Sequence, residues 1–383
     1  MIVHLSIFAF ACIFSFFASY AYRTSHNINT DTVPCITISL FAALVSLSLL
    51  VFFVGMRTRF ADTPAYITWF NETTTDFGDL KNIYEEDSEG IGFVFLMKVF
   101  KRFVSSDFNV FFMLLAIFQA FSIAKLYQKY SIDYAFTIFL FMTSTSYVWM
   151  MNGIRQFTAV CIILCFFDNI LDKKFLRFLL VVLFASTIHS SAIIWIVVYF
   201  IVRFKPFSWQ IWACVFATLI VIFFIDQFTT LLDSTLEGTA YEGTGEHLMS
   251  YSDASTGFTD DGVNPIRVLI AAVPSVIALC RRKRIEEISN PFIDVCINLS
   301  VATVGIYVLG VFTSGILVGR IPIYFMLTNY ILLPWLIDKT FDGRTKTLIK
   351  FACILFYLIY FYYVMVLQGT ARYESSVLGI YQY

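Results

Sequence analysis

Apolar runs of about 15 to 23 residues recur along the chain, around 1–22, 34–56, 107–124, 133–150, 153–170, 175–188, 190–202, 208–225, 265–280, 290–312, 321–337 and 348–367, near the length that carries a helix across a bilayer. In hydrocarbon each backbone N–H and C=O must find its partner within the protein, so such runs are helical. They predict about twelve transmembrane helices and an all-α polytopic membrane protein. The pair 175–188 and 190–202 is short for two spans, and a broken or re-entrant hairpin competes with two crossings. A soluble globular domain is excluded, because 59% of the 383 residues are hydrophobic, 14% are charged and 44 are Phe.

Basic residues orient the helices. The run Arg281-Arg282-Lys283-Arg284 marks a cytoplasmic face. Threading outward from it places Arg23, Lys125, Lys129, Lys173, Lys174, Arg177, Arg203, Lys205, Lys339, Arg344, Lys346 and Lys350 on the same face and both termini outside. The N-terminal run lacks a basic n-region and a small-residue cleavage site, so it is expected to be a retained first helix. The eight cysteines lie within or beside apolar segments, a distribution that implies neither a disulfide framework nor a metal site.

The whole chain, 1–383, is expected to be one integral membrane domain with two long extracytoplasmic loops. The loop 57–106 passes from "RTRFADTPAYITWF" through "YEEDSEG" to "IGFVFLMKVFKRF", whose apolar face and Lys98, Lys101 and Arg102 suggest an interfacial helix. The loop 226–264 is rich in Asp, Glu, Gly, Ser and Thr, and loops of this length usually carry function or are disordered. No internal repeat is visible, which weakens a transporter built from duplicated halves. Asp260-Asp261 lacks the supporting ligands of a metal site.

Arginines at helix starts on the expected outer face run against both the positive-inside tendency and the helix dipole. Arg155, Arg267 and Arg320 each lie within about a turn of a helix start, His189 opens the 190–202 segment, and Arg57 and Arg59 follow the second helix. Guanidinium forks beside exposed helix amides suit phosphate oxygens, and at the outer face of a membrane the obvious phosphate carrier is a lipid. The competing explanation is that each arginine snorkels to head groups or pairs with an outer acid.

The segments "NGIRQFTAV" (152–160), "IHSSAIIW" (188–195) and "GRIPIYF" (319–325), with Asp62 and Tyr66 in the spacing D-x-x-x-Y, resemble the EpsG-like and Wzy-type family of bacterial polysaccharide polymerases. The likeness extends over most of the chain as an order of short segments. It implies a GT-C-like glycosyltransferase in the bacterial cytoplasmic membrane, with its site on the extracytoplasmic face and no cofactor. Such an enzyme moves a glycan from undecaprenyl diphosphate to the non-reducing end of another lipid-linked repeat unit, building O-antigen, capsule or exopolysaccharide. Implied partners are the undecaprenyl-diphosphate-linked oligosaccharide, membrane lipids, and a chain-length regulator and flippase of the same pathway; no nucleic acid is implied. Arg155 with Gln156, His189 with Ser191, and Gly319 with Arg320 match the motifs, while Asn152 and Tyr324 fall within them. Arg267 rests on position alone.

The chemistry suits these residue types. Breaking a sugar–diphosphate bond develops negative charge that fixed guanidinium groups in a partly dry site stabilise. The acceptor hydroxyl needs a base, for which His189, Asp62, Glu85, Glu86 and Glu89 are the candidates. His189 equally suits a phosphate ligand or a hairpin cap, and Asp62, bracketed by Arg59 and Tyr66, equally suits an ion pair that orients the loop. Trp69 and Phe70 are expected at an interface with or without a sugar. A lipid-linked oligosaccharide flippase would carry its cations through a central cavity, whereas here they gather on one side. A glycan ligase shares the same donor and remains open.

Overall fold

A computed structural model describes residues 1–25, 38–78, 90–225, 263–313, 318–369 and 372–381, with 227, 230 and 234. Glu85, Glu86, Glu89, Cys35, Asp260, Asp261 and most of the 226–264 loop lie outside the described residues. Among the described residues regular structure is helical, with β pairing limited to the isolated bridges Arg59–Glu374 and Ser375–Ile380.

In chain order the first helices are α1 (Ile2–Ser25), α2 (Leu40–Met56), α3 (Thr63–Glu72), α4 (Ile91–Phe103), α5 (Phe108–Tyr130), α6 (Tyr134–Thr143), α7 (Ile154–Cys165), α8 (Asp168–Leu171) and α9 (Phe175–Ile188). They are followed by α10 (Trp195–Ile201), α11 (Trp209–Phe223), α12 (Pro265–Cys280), α13 (Arg282–Ile288), α14 (Pro291–Val311), α15 (Ile323–Met326), α16 (Asn329–Thr340) and α17 (Gly343–Tyr362). Among the described residues each apolar run is mainly helical, but the lengths divide them. Four described segments are long and apolar enough to cross a membrane: Ile2–Tyr22, Phe108–Tyr130, Pro291–Val311 and Gly343–Leu367. A fifth candidate is the pair Val318–Met326 and Asn329–Thr340, bent by 52° at its break. The remaining runs form helices of 10–17 residues.

The breaks have local causes. The 133–150 run leaves the α-helix at Ser144, where Thr145 adopts a left-handed φ of 63° and the chain continues as a 3-10 turn over Ser146–Met150. Thr143 and Ser144 donate their hydroxyls back to the carbonyls of Phe139 and Phe141, at 2.7 and 3.1 Å, in competition with the helix ladder.

The chain divides into two compact units. The first comprises Met1–Ile196 and Gly343–Tyr383. Within it α1 packs on α2 and α6, α2 on α5, α5 on α7, α7 on α9, α9 on α4, and α17 on α6. Apolar surface supplies little drive between helices in lipid, so close approach and polar ties matter more. Gly55 supplies the approach of α2 to α5: a Cβ there would stand 2.5 Å from Met113 Cε and 3.0 Å from Met113 Cα. Ser46 pairs with Tyr134 at 2.9 Å, Gln119 donates to Thr158 at 3.0 Å, Ser122 meets Cys165 at 3.1 Å, and His4 meets Tyr147 at 2.9 Å. Phe16, Phe17, Leu348 and Phe351 stay exposed on the outside of this unit, as lipid-facing side chains do.

Two lysines of the expected interfacial helix have protein partners. On α4, Lys98 Nζ donates to Thr74 Oγ1 and to the carbonyls of Thr74 and Asp76, at 2.8, 3.2 and 2.7 Å. Lys101 Nζ donates to the carbonyls of Phe70, Asn71 and Thr73. Lys101 satisfies backbone acceptors left open at the end of α3 and Lys98 those of the loop that follows, so the two tie the end of α3 to α4. The C-terminal segment returns to the end of α2. There Tyr373 donates its hydroxyl to Phe53 O at 2.8 Å, Ser375 to Met56 O, and Glu374 exchanges backbone bonds with Thr58 and Arg59.

The second unit is Val197–Asp342. There α14 is the central helix, packed by α11, α12, α15 and α16. Asn298 on α14 donates to the carbonyls of Val202 and Phe204 at 3.1 and 2.7 Å. The basic run begins at the end of α12: Arg281 donates to Thr340 O and lies over the Phe341 ring. Arg282 and Arg284 pair with Glu286 and Glu287 along α13.

Candidate functional site

The site residues of the first unit gather at the start of α7. The chain leaves α2 through Arg57, whose side chain is only 1% exposed. Its Nε donates to Thr63 Oγ1 at 3.0 Å, Nη1 donates to Val54 O, and the guanidinium lies 4.6 Å from the Phe112 ring centroid. Burial pushes its pKa down to about 10, against the opposing pull of the Asp62 carboxylate. Arg57 thereby closes the end of α2 and fixes Thr63, the first residue of α3.

Ala61, at a left-handed φ of 44°, turns the chain into Asp62. Asp62 stands at the N-cap position of α3 without capping it by its side chain. Its Oδ2 instead accepts the amide of Gly153 at 3.0 Å. Gly153 holds the N-cap position of α7 with a φ of +70°, a conformation open to glycine at little cost. A carboxylate therefore sits at the positive end of α7, one turn from Arg155.

Arg155 is only partly buried. Its guanidinium carbon lies 5.0 Å from the Trp69 ring centroid, a cation–π distance. Burial, then the Asp62 carboxylate, push the Tyr66 phenol pKa up, while Arg155 pulls it down. Tyr66, Trp69 and Phe93 form a ring cluster with centroids 5.8 to 6.3 Å apart.

Beside Arg155 its own motif meets the His189–Ser191 motif. Gln156 is buried and its Nε2 points to Ser191 Oγ at 3.5 Å, a long contact, while Ser191 Oγ is 2.7 Å from His189 Nδ1. His189 ends α9 in an extended conformation, φ −151° and ψ 119°, and leads into the 3-10 turn Ser190–Ile194. Its ring is thus oriented by a serine hydroxyl two residues away.

The structure brings Asp62, Tyr66, Arg155, Gln156, His189 and Ser191 into this cluster. Asn152 lies one residue before Gly153, partly buried. Arg59 is set apart on the surface, its side chain 71% exposed and 3.7 Å from Glu374, the kind of pair that contributes little to stability. Arg267 and Arg320 belong to the second unit. Val263, just before α12, donates its amide to Gly310 O at 2.9 Å, and a Cβ on Gly319 would stand 2.6 Å from Val263 Cγ2. The segments carrying Arg267 and Arg320 are therefore neighbours within that unit. Tyr324 is buried in the same unit, at 2% exposure.

Sequence inspection alone missed the part Thr63 plays in holding Arg57, the part Trp69 plays as the platform of Arg155, and the Gly153 amide as the partner of Asp62. The glycine before "IRQ" was the available signal for the last, because a helix preceded by glycine offers an unobstructed amide. No curated protein and no solved structure matches the chain. The EpsG family model matches residues 40–378, a span that includes α2, the Asp62 turn, the Arg155 helix, the His189 turn and the Gly319-Arg320 segment. The chain belongs to the EpsG family.

Proposed function

We propose that this membrane protein is a polysaccharide polymerase that transfers a glycan from undecaprenyl diphosphate to the non-reducing end of a second lipid-linked repeat unit. The reaction takes place at the outer face of the bacterial cytoplasmic membrane, within a GT-C-like bundle whose shorter helices complete about twelve crossings. One observation carries the proposal: Arg155, Gln156, Ser191 and His189, from two separate stretches of sequence, converge where α7 begins.

In the transfer, the acceptor hydroxyl oxygen bonds to the anomeric carbon as the bond from that carbon to the diphosphate oxygen breaks. The electron pair leaves with the diphosphate and the hydroxyl proton goes to a base. Arg155 stabilises the departing charge, with the amides at the start of α7 adding to the field. His189, held through Nδ1 by Ser191, is the base we favour, and Glu89, which precedes Gly90 in the chain, is the alternative. Asp62 anchors the loop that carries Tyr66 and Trp69, and Arg57 fixes the turn before it. Asn152, one residue before the Gly153 cap of α7, contributes to binding the rest of the substrate.

Incubating the purified protein with an undecaprenyl-diphosphate-linked repeat unit tests this. A ladder of products is the expected result. Transfer to a different acceptor without a ladder would make the protein a ligase, and movement of the lipid across vesicles without covalent product would make it a transporter.

A further inference from the structure

The loop and helix that follow the acidic stretch read "EGIGF", residues 89–93, and the two glycines occupy the tightest approaches around Arg155. A Cβ on Gly90 would stand 2.5 Å from Arg155 Nη1 and 3.6 Å from Ile188 O. A Cβ on Gly92 would stand 2.2 Å from Thr187 Oγ1 and 2.9 Å from the Thr187 carbonyl oxygen. Heavy atoms do not approach this closely without displacement, and at Gly92 the neighbours include Thr187 Cβ and the Thr187 carbonyl as well as the hydroxyl, so rotating one side chain does not relieve the contact. Gly92 thus seats the first turn of α4 against the last turn of α9, and Gly90 then presents bare backbone to the guanidinium.

Trp69 is a second neighbour of the guanidinium, with its ring centroid 5.0 Å from Arg155 Cζ. The guanidinium thus has both an aromatic ring and a glycine as close neighbours. We infer that Gly90 is a positioning residue for Arg155: the missing side chain leaves the space in which the guanidinium is held at the head of α7, and Gly92 brings Gly90 to that place. This rests on the proposed role of Arg155 as a diphosphate ligand. A fork must be placed to within a fraction of an ångström to meet two phosphate oxygens, and a displaced Arg155 retains its charge while losing that geometry.

Gly90 also has a φ of +83°, so any side chain there strains the backbone wherever Arg155 points. A double-variant cycle separates the two effects. Binding of undecaprenyl diphosphate in detergent micelles is measured for the wild type, Gly90→Ala, Arg155→Ala and the double variant, on protein that elutes as a single species. The expected result is that Gly90→Ala weakens binding tenfold or more in the wild-type background and by less than twofold once Arg155 is alanine. An equal loss in both backgrounds would mean that the substitution acts through backbone strain and would overturn the inference, as would unchanged binding in the single variant. If Gly90→Ala does not accumulate, Trp69→Leu removes the neighbouring ring without touching the backbone and takes its place, with the same pattern expected and an equal loss in both backgrounds again overturning it. A wild-type protein that fails to bind the lipid diphosphate would overturn the functional proposal itself, and the inference with it. Binding in the wild type with no coupling between the two positions would overturn only the role of Gly90.

Discussion

Asp62→Asn separates a structural carboxylate from a catalytic one. The carboxylate accepts the Gly153 amide at 3.0 Å, and the asparagine carbonyl can accept the same bond, so the substitution removes charge and keeps shape. A hydrogen bond to a charged acceptor is roughly twice as strong as a neutral one, which puts the loss at about 1 kcal/mol. A negative charge at a helix N-terminus adds roughly 0.3 to 1 kcal/mol, and more when partly buried. Asp62 also opposes the burial penalty on Arg57, which leaves that guanidinium less well compensated when the charge is gone. Together these give about 2 kcal/mol of destabilisation for Asp62→Asn, read as a fall of roughly 4 to 8 °C in the apparent Tm of purified protein at 2 to 4 °C per kcal/mol. Asp62→Ala should cost about 1 to 3 kcal/mol more, because it leaves the buried Gly153 amide without its acceptor. Turnover per folded molecule should stay within about tenfold of wild type in Asp62→Asn, since an acceptor already committed to an amide is poorly placed to take a proton. An Asp62→Asn protein with unchanged Tm and a transfer rate reduced by roughly a hundredfold or more would refute the anchoring role and make Asp62 the base.

Arg155→Lys should fail to recover the activity lost in Arg155→Ala, because an ammonium cannot reproduce a bidentate fork on a diphosphate; full activity at normal protein level would reduce Arg155 to generic charge. His189→Ala should lower the single-turnover rate by roughly a hundredfold while leaving donor affinity nearly intact, whereas a parallel loss of affinity would identify a phosphate ligand instead. Gly55→Val should destabilise the protein by about 1 to 3 kcal/mol through overpacking against Met113, seen as a lower Tm with donor affinity of the surviving protein unchanged. A cysteine introduced within 240–255 should react with an impermeant thiol reagent from outside intact cells, and one at Lys283 should not; the reverse pattern would place the arginines on the cytoplasmic side and remove the case for a lipid-linked donor.

Period and length in the sequence decided the class of fold. Unbroken apolar runs leave the backbone no partner but itself, and among the described residues each run is mainly helical. Helix length was less legible. The 133–150 run looks like one helix, yet Thr145 adopts a left-handed conformation and ends it, an outcome that depends on side-chain hydroxyls competing for particular carbonyls. In the site, the types of residue were visible in advance: "NGIRQ" announces a cation at a helix start, and "IHSS" announces a histidine with hydroxyl neighbours. Charge and hydrogen-bonding capacity belong to the residue and can be read one at a time. Partnership belongs to the fold. Arg57, Arg59 and Arg155 read alike as cations beside helix ends, and only the tertiary structure buries the first against Phe112, pairs the second with Glu374 at the surface, and sets the third beside Trp69 and Gly90. The distinction arises because each guanidinium meets at least one group far away in the chain, Phe112 at Arg57, Glu374 at Arg59, Trp69 and Gly90 at Arg155, and no local pattern encodes which of them will arrive.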